Sequence, residues 1–422
     1  MAANSIIEVW AFGTEIGKLG YDIDKRKSYF QYSPGILESG QYPRMFPFIF
    51  RRAKSVQVFT EYEGDTFKGL PPMIADSLPD MFGNIIFKEW FEANNKGFDK
   101  ITPLEQLAYV ANRGMGALEY RPVIEIPKTA TINIDNVVEV LQKVLNVKKG
   151  TVEKNLSHPA LLNIFKIGSS AGGARPKILI SENKETKTII PGDIEYSSDY
   201  NHWLVKLCLD ENDGYNKEKV EFAYYQLTQK AGIHMMHSEL IEDRHFGTLR
   251  YDRQNGEKQH VLTASGLTGW DFMKPENGSY ENLFKLALSL KAPHKDLQEL
   301  FRRMVFNTVF SNYDDHLKNH SFIYNQNNDS WRLGPAYDIT YPFNVRLNYL
   351  KKSRALSINN KRTGITLQDL LSVAEDFAIK NAKRIIQEVQ DVVPEWRLLA
   401  QNLDIPSFVI EAVEKEFQIF AL

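Results

Sequence analysis

The stretch from Phe306 to Phe343 constrains this chain more than any other. Just upstream, Leu297, Leu300, Phe301, Met304 and Val305 recur at helical spacing, which predicts a helix with one apolar face. That helix runs into a polar cluster holding Asp314, His316, Lys318 and Asn319. Ser321 to Tyr324 is apolar, Asn325 to Ser330 is turn-like, and Trp331 to Leu333 can pair back, so a hairpin follows. Asp338 lies beyond the hairpin. The order of helix, polar loop, hairpin and second acidic loop belongs to an α+β fold.

The spacing carries chemistry. Asp314 and Asn319 stand as D-x-x-x-x-N, the interval between the Asp and the Asn of the common protein-kinase catalytic loop. There the Asp takes the proton of the attacking hydroxyl and the Asn holds a metal. A later Asp holds the metals that bridge the nucleotide phosphates, and Asp338 has that place in the order. The usual strings H-R-D-L-x-x-x-N and D-F-G are absent. The plainer reading is a solvated Asp/Asn loop after a helix.

A second informative stretch, Lys166 to Ile180, reads K-I-G-S-S-A-G-G-A-R-P-K-I-L-I. Small residues let backbone N–H groups approach phosphates closely. The string is neither a Walker A motif nor G-x-G-x-x-G, and a flexible surface turn has a similar composition. Lys206 lies in the apolar run Trp203 to Leu209, where a lysine either points outward or meets an anion. Kinases place a strand lysine against the phosphates and pair it with a helix glutamate. Glu221 is the leading partner, at the start of a helical stretch to Gln229; the plain alternative is a first-turn acid favoured by the helix dipole.

These motifs together resemble the HipA-like serine/threonine kinases, toxins of two-gene toxin–antitoxin modules. The resemblance rests on Asp314-Asp315-His316-Leu317-Lys318-Asn319-His320-Ser321, on Pro335-Ala336-Tyr337-Asp338, and on the loop containing Ser170, Ala171, Gly172, Gly173, Ala174, Arg175, Pro176 and Lys177. It implies Asp314 as catalytic base, with His316 and Lys318 shaping the loop or touching phosphate. It implies Asn319 and Asp338 as Mg2+ ligands, and the small-residue loop, Lys206 and Glu221 as ATP-binding. Arg250-Tyr251-Asp252-Arg253 is similar to the family's R-F-D-R, which suits a hinge whose backbone near Leu249 to Tyr251 contacts adenine. In the family a loop serine, here Ser170 with Ser169 adjacent, is phosphorylated by another copy and activity stops. The implied partners are a HipB-like helix-turn-helix antitoxin, through which DNA contact is indirect, and a protein substrate such as an aminoacyl-tRNA synthetase or another translation factor. A catalytically silent nucleotide-binding co-repressor and a small-molecule kinase are the alternatives.

The expected architecture is a two-lobed, protein-kinase-like domain behind a small β-rich domain. The segments are 1–125, 126–255 with the phosphate loop, and 256–422, mostly helical with the catalytic loop. Ile6 to Ala11, Ile16 to Tyr21 and Ser28 to Ser33 read as strands around a turn at Gly13-Thr14-Glu15. Asp80 to Phe91 and Thr102 to Asn112 read as helices, the second opened by a capping box of Thr102 and Glu105. Tyr280 to Ser289, Ile365 to Ala374, Asp376 to Val389 and Glu411 to Phe420 are further helices. Between Arg346 and Arg362 six cations occur with no acid, which reads as a solvated face or a phosphate-contacting one.

Composition sets outer bounds. Apolar residues make up 43% and charged residues 25%, ordinary globular values. A formal charge of −2 leaves no global nucleic-acid footprint. Cys208 is the only cysteine and cannot form an internal disulfide. No basic region precedes a long apolar segment at the start, and no apolar run reaches membrane-spanning length, so a cytoplasmic protein without a membrane partner is expected.

Overall fold

The computed structural model describes residues 6–79, 81–93, 97, 101–123, 133–148, 175–192, 197–209, 213–349 and 351–422. The chain forms two compact units, 1–209 with 247–261 and 210–246 with 262–422. Neither is a continuous stretch, because the chain leaves the first unit after Leu209 and re-enters it at Gly247.

In the first unit, β1 (Ile6–Ala11), β2 (Thr14–Asp22), β3 (Lys27–Tyr32), β4 (Gln57–Phe59) and β5 (Glu119–Arg121) form an antiparallel sheet in the order β4-β3-β2-β1-β5. Alternation along β1 buries Ile7, Val9 and Ala11 on one face. The β1–β2 turn is tighter than the sequence suggests. Phe12 and Gly13 alone make it, with φ of 51° and 72°, and Thr14 and Glu15 already belong to the strand. A two-residue turn of this hand matches the twist of the strands it joins. Gly17 is required where β2 meets β3, since a Cβ there would lie 2.4 Å from the Gln31 carbonyl oxygen.

Helices Met81–Ala93 and Pro103–Val110 follow. The capping box forms in full: the Glu105 N–H donates to Thr102 Oγ1 at 3.2 Å, and the Thr102 N–H donates to Glu105 Oε2 at 3.0 Å. Helix Ile134–Lys148 buries Val137, Val138 and Leu141. Strands β6 (Lys177–Asn183), β7 (Ile189–Pro191) and β8 (Tyr200–Lys206) are antiparallel, with β6 in the middle.

His260, also in this unit, is fully buried with the Phe46 ring edge-on at 5.9 Å. Burial pushes its imidazole down to about 3. Below the ordinary histidine value the unfolded chain takes up a proton that the folded chain refuses. Stability therefore falls as pH drops below about 6.5, and this site alone contributes about 2 kcal/mol of the loss at pH 5. His260→Leu is expected to flatten the fall of the first unit's melting temperature between pH 7 and pH 5; a slope equal to the wild type's would assign the acid sensitivity elsewhere.

The second unit is mostly helical. Its axis is helix His294–Val309, which buries Leu297, Leu300, Phe301, Met304, Val305, Phe306 and Val309 against helices Ala382–Gln390 and Tyr280–Ser289. Trp396 of helix Glu395–Asn402 is fully buried against Tyr224 and donates its indole N–H to the Ile410 carbonyl at 3.1 Å. The predicted hairpin forms from Ser321–Asn325 and Ser330–Leu333, with Tyr324 opposite Trp331.

Two helical expectations shift. The run expected from Asp376 starts at Ala382, because Ala378 adopts the left-handed conformation (φ 55°) and ends helix Leu367–Asp376 in a Schellman turn, its N–H on the Glu375 carbonyl and that of Ile379 on Ala374. The last helix is Ser407–Glu414, opened by Pro406, whose ring suits a helix start and not an interior. Among the described residues, no helix is long and apolar enough to cross a membrane.

Candidate active site

The way helix His294–Val309 ends places the polar loop. Ser311 takes the left-handed conformation (φ 54°), the Asn312 N–H reaches the Asn307 carbonyl at 3.0 Å, and the Ser311 N–H reaches that of Thr308 at 3.3 Å. This is a Schellman motif with serine where glycine is usual. The Ser311 hydroxyl also donates to the Glu416 carbonyl, which holds the turn.

Asp314 follows three residues after Ser311 with its side chain 61% exposed. His316 Nε2 lies 3.9 Å from its carboxylate. Leu317–Asn319 forms one 3-10 turn, closed by the Asn319 N–H on the His316 carbonyl at 2.8 Å. The Asn319 amide donates through Nδ2 to the Asp314 carbonyl at 2.7 Å, so Oδ1 is the atom that could hold a metal. The Phe272 ring lies 5.0 Å from that of His316, and Lys318 Nζ sits 5.1 Å over it.

Asp338 is brought to the same place by its neighbours. The Ala336 N–H donates to the His234 carbonyl at 2.8 Å, and the Gly334 N–H to that of Ser321 at 2.8 Å. The Tyr337 hydroxyl donates to the Lys318 carbonyl at 2.7 Å, so the residue before Asp338 is tied to the residue before Asn319. Asp338 itself has φ 57°, a left-handed conformation that costs energy for a non-glycine residue and collects at functional sites. Asn319, Asp338, Asp315, Asn307, Asn312 and His320 line one small cavity. The amide oxygen and the carboxylate are hard donors of the kind Mg2+ takes, with its remaining positions left to phosphate and water.

Beneath the loop lies a buried polar layer that sequence reasoning passed over. Asp315 is 1% exposed and accepts from the Tyr280 hydroxyl at 2.8 Å, from Arg354 Nη2 at 2.9 Å and from the Leu356 N–H at 3.3 Å. Burial first, then the Asp315 carboxylate, raise the Tyr280 phenol well above its ordinary value, so it stays a donor. Asn307 donates in turn to the Tyr280 oxygen at 2.9 Å. The doubled acid of Asp314-Asp315 was the available signal, but nothing local points to Arg354.

The basic run from Arg346 to Arg362 is corrected by the same contacts. Arg354 is buried on Asp315, Lys352 pairs with Glu416 at 2.8 Å, and Lys361 with Asp369 at 2.8 Å. Arg346 bonds the Asp213 carbonyl, and Arg362 bonds the carbonyls of Ala355, Pro275 and Gly278. Five of the six cations are thus bonded within the second unit, while Arg346, Lys351 and Lys361 stay exposed, so the run is in part a solvated face and in part internal.

On the first unit, Lys177 and Lys206 stand opposite each other on the β6–β8 ladder, both 4% exposed. Cross-strand partners share a face, so the two buried lysines lie side by side. Ser169, Ser170, Ala171, Gly172, Gly173 and Ala174 lie outside the described residues. The Arg250 N–H donates to the His202 carbonyl at 2.8 Å, which sets 249–251 beside β8, and Tyr251 is buried. The Arg250 guanidinium is turned to Asp252, at 2.8 and 3.0 Å, and Arg253 reaches the same carboxylate at 2.8 Å. Burial alone would raise the Asp252 carboxyl, but the two guanidiniums outweigh it and hold it well below the usual range. In the second unit, Glu221 is fully buried in the second turn of helix Lys217–Lys230. It is therefore not the first-turn acid; Glu218 is, after the Asn216 cap.

Comparison with known proteins places this chain in a family. In fold the chain is similar to the toxin–antitoxin protein HipA of Shewanella oneidensis, solved in complex with HipB and operator DNA, with a TM-score of 0.65 and 15% identity over 97% of this chain and 95% of that one. It is 23% identical over 235 residues to Y4dM of Sinorhizobium fredii, a protein provisionally named a kinase. That match covers 50% of this chain and 56% of Y4dM, so the chain spans little more than half of that relative. The model of the HipA N-terminal domain matches residues 7–121, and the model of the HipA-like C-terminal domain matches residues 169–396, more than half of the chain and the whole of the Asp314–Asp338 site. The chain belongs to the HipA family.

Proposed function

We propose that the protein is an ATP- and Mg2+-dependent serine/threonine kinase acting as the toxin of a toxin–antitoxin module. The observation that carries the reading is the cavity lined by Asn319 and Asp338, which the Tyr337–Lys318 bond ties together, beside the exposed Asp314, whose backbone carbonyl is bonded by Asn319. Asp314 accepts the proton of the acceptor hydroxyl as the phosphoryl group is transferred. Asn319 Oδ1 and the Asp338 carboxylate would hold Mg2+, which when bound would neutralise charge on the phosphates. Lys177, Lys206 and the small-residue loop take the phosphates of ATP, and the backbone at 249–251 takes adenine. The relative solved with HipB and operator DNA supports a HipB-like partner, and DNA contact through that partner is part of the proposal. The internal use of the Arg346 to Arg362 cations fits that indirect contact. A translation protein such as an aminoacyl-tRNA synthetase is the proposed substrate.

The reading includes self-limitation. A phosphate on Ser170 adds about −1.5 to −2 charges where the nucleotide's own phosphates belong, so modification expels the loop. Purified protein incubated with Mg-ATP is expected to gain one phosphate on the Ser170 peptide, at a rate that rises with protein concentration, and Ser170→Ala to sustain transfer to substrate. Intact-mass and peptide mass spectrometry read both. A wild-type protein that binds Mg-ATP yet stays unmodified and modifies nothing would turn the assignment to a silent binding module.

A further inference from the structure

The segment 354–357, well beyond Asp338, runs along the backbone that carries Asp314 and fixes the residue on either side of it. On one side the Ala355 N–H donates to the Tyr313 carbonyl at 2.9 Å. On the other, Asp315 accepts from Arg354 Nη2 at 2.9 Å and from the Leu356 N–H at 3.3 Å. Arg354 Nη2 also donates to the Asn312 carbonyl at 3.0 Å, and its guanidinium lies 5.7 Å from the Tyr313 ring. The segment is anchored in turn: Ser357 and Tyr280 exchange backbone bonds with Gly278 and Ser357 at 2.9 and 3.0 Å, and Arg362 caps the Ala355 carbonyl. Arg354 and Asp315 have side-chain exposures of 1% and 0%, whereas Asp314 between the pinned residues keeps 61%.

We infer that 354–357 is a strap that aims the Asp314 carboxylate, with Arg354 and Asp315 as its positioning residues. The inference rests on the kinase reading for its catalytic consequence, but not for the strap itself. In many protein kinases the segment after the metal-binding Asp is ordered when a phosphate on it pairs with an arginine. Here the segment supplies the arginine, and the permanent charge of Asp315 takes the place of the phosphate. The catalytic loop is thus ordered without a modification of this segment.

A buried ion pair tolerates loss of both partners far better than loss of one. The test is therefore the double variant Asp315→Asn with Arg354→Met, in the full-length chain. Amide hydrogen exchange in peptides covering 313–319 is expected to quicken at least about tenfold, more than in the hairpin beside it. The maximal rate of transfer should fall about 100-fold, with KM for Mg-ATP within a few-fold of wild type, since misaiming a reacting group by about 1 Å has that effect. Arg354→Lys, which keeps the charge without the planar fork, should fall between. Tyr280→Phe removes one donor to Asp315, keeps the ion pair, and carries the same test in milder form if the double variant does not fold. Wild-type exchange and wild-type maximal rate in a folded variant would make the pair mere packing and overturn the strap. A wild-type chain with no transfer activity would count against the kinase reading instead, and the exchange measurement would still decide the strap.

Discussion

Asp314→Ala is expected to remove phosphoryl transfer, by on the order of 1,000-fold, while leaving the fold and the affinity for Mg-ATP nearly intact. General-base groups contribute about 100- to 10,000-fold to such reactions. Asp314 is well placed for the role, because its side chain is 61% exposed while its backbone carbonyl is held by Asn319 at 2.7 Å. Substitution at so exposed a side chain shifts stability by only about 0.5 kcal/mol. Labelled ATP with substrate, a nucleotide titration and a melting curve on the same preparation separate the three effects. Label transferred by the Asp314→Ala protein at the wild-type rate would place the base elsewhere.

Asp338→Asn is expected to raise the Mg2+ concentration needed for half-maximal transfer at least about tenfold, because it removes one carboxylate from the proposed site of the phosphate-bridging metal. Asparagine is chosen because it also tolerates the left-handed backbone seen at φ 57°. Alanine there would add about 1 kcal/mol of strain and blur the result. Asn319→Ala should show the same Mg2+ dependence plus a lower ceiling, since its amide also pins the Asp314 carbonyl. Excess Mg2+ should restore much of the activity of Asp338→Asn and none of that of Asp314→Ala. Identical Mg2+ curves for wild type and both variants would dismiss these residues as metal ligands.

A second consequence concerns the first unit. Lys177 and Lys206 share a rung of the β6–β8 ladder. Either lysine alone could be read as a strand residue pointing to solvent. Both are buried, at 4% exposure, side by side on β6 and β8, and in the sequence Lys177 directly follows the small-residue loop. That juxtaposition is a feature the sequence alone does not show, since it depends on how the two strands pair.

Much of this was legible in the chain because it is local. The apolar spacing from Leu297 to Val305 stated the helix, the turn residues Asn325 to Ser330 stated the hairpin, and Thr102 with Glu105 stated a cap that forms both of its bonds. The order Asp314, Asn319, Asp338 stated which chemistry to look for. Each of these is set within a few residues by period, propensity or turn geometry. Helix ends were less legible: Ser311 and Ala378 take a conformation that glycine usually marks, Ser311 buried and bonded to the distant Glu416 carbonyl, Ala378 exposed and held by the local bonds of its turn. What only the tertiary structure decided is the choice of partners. Arg354 finds Asp315 across 39 residues, Lys361 finds Asp369, and Arg250 turns to Asp252. A charge in a sequence has no address. Desolvation makes a buried charge so costly that packing must supply its opposite, and which opposite arrives depends on how the helices and the hairpin come together.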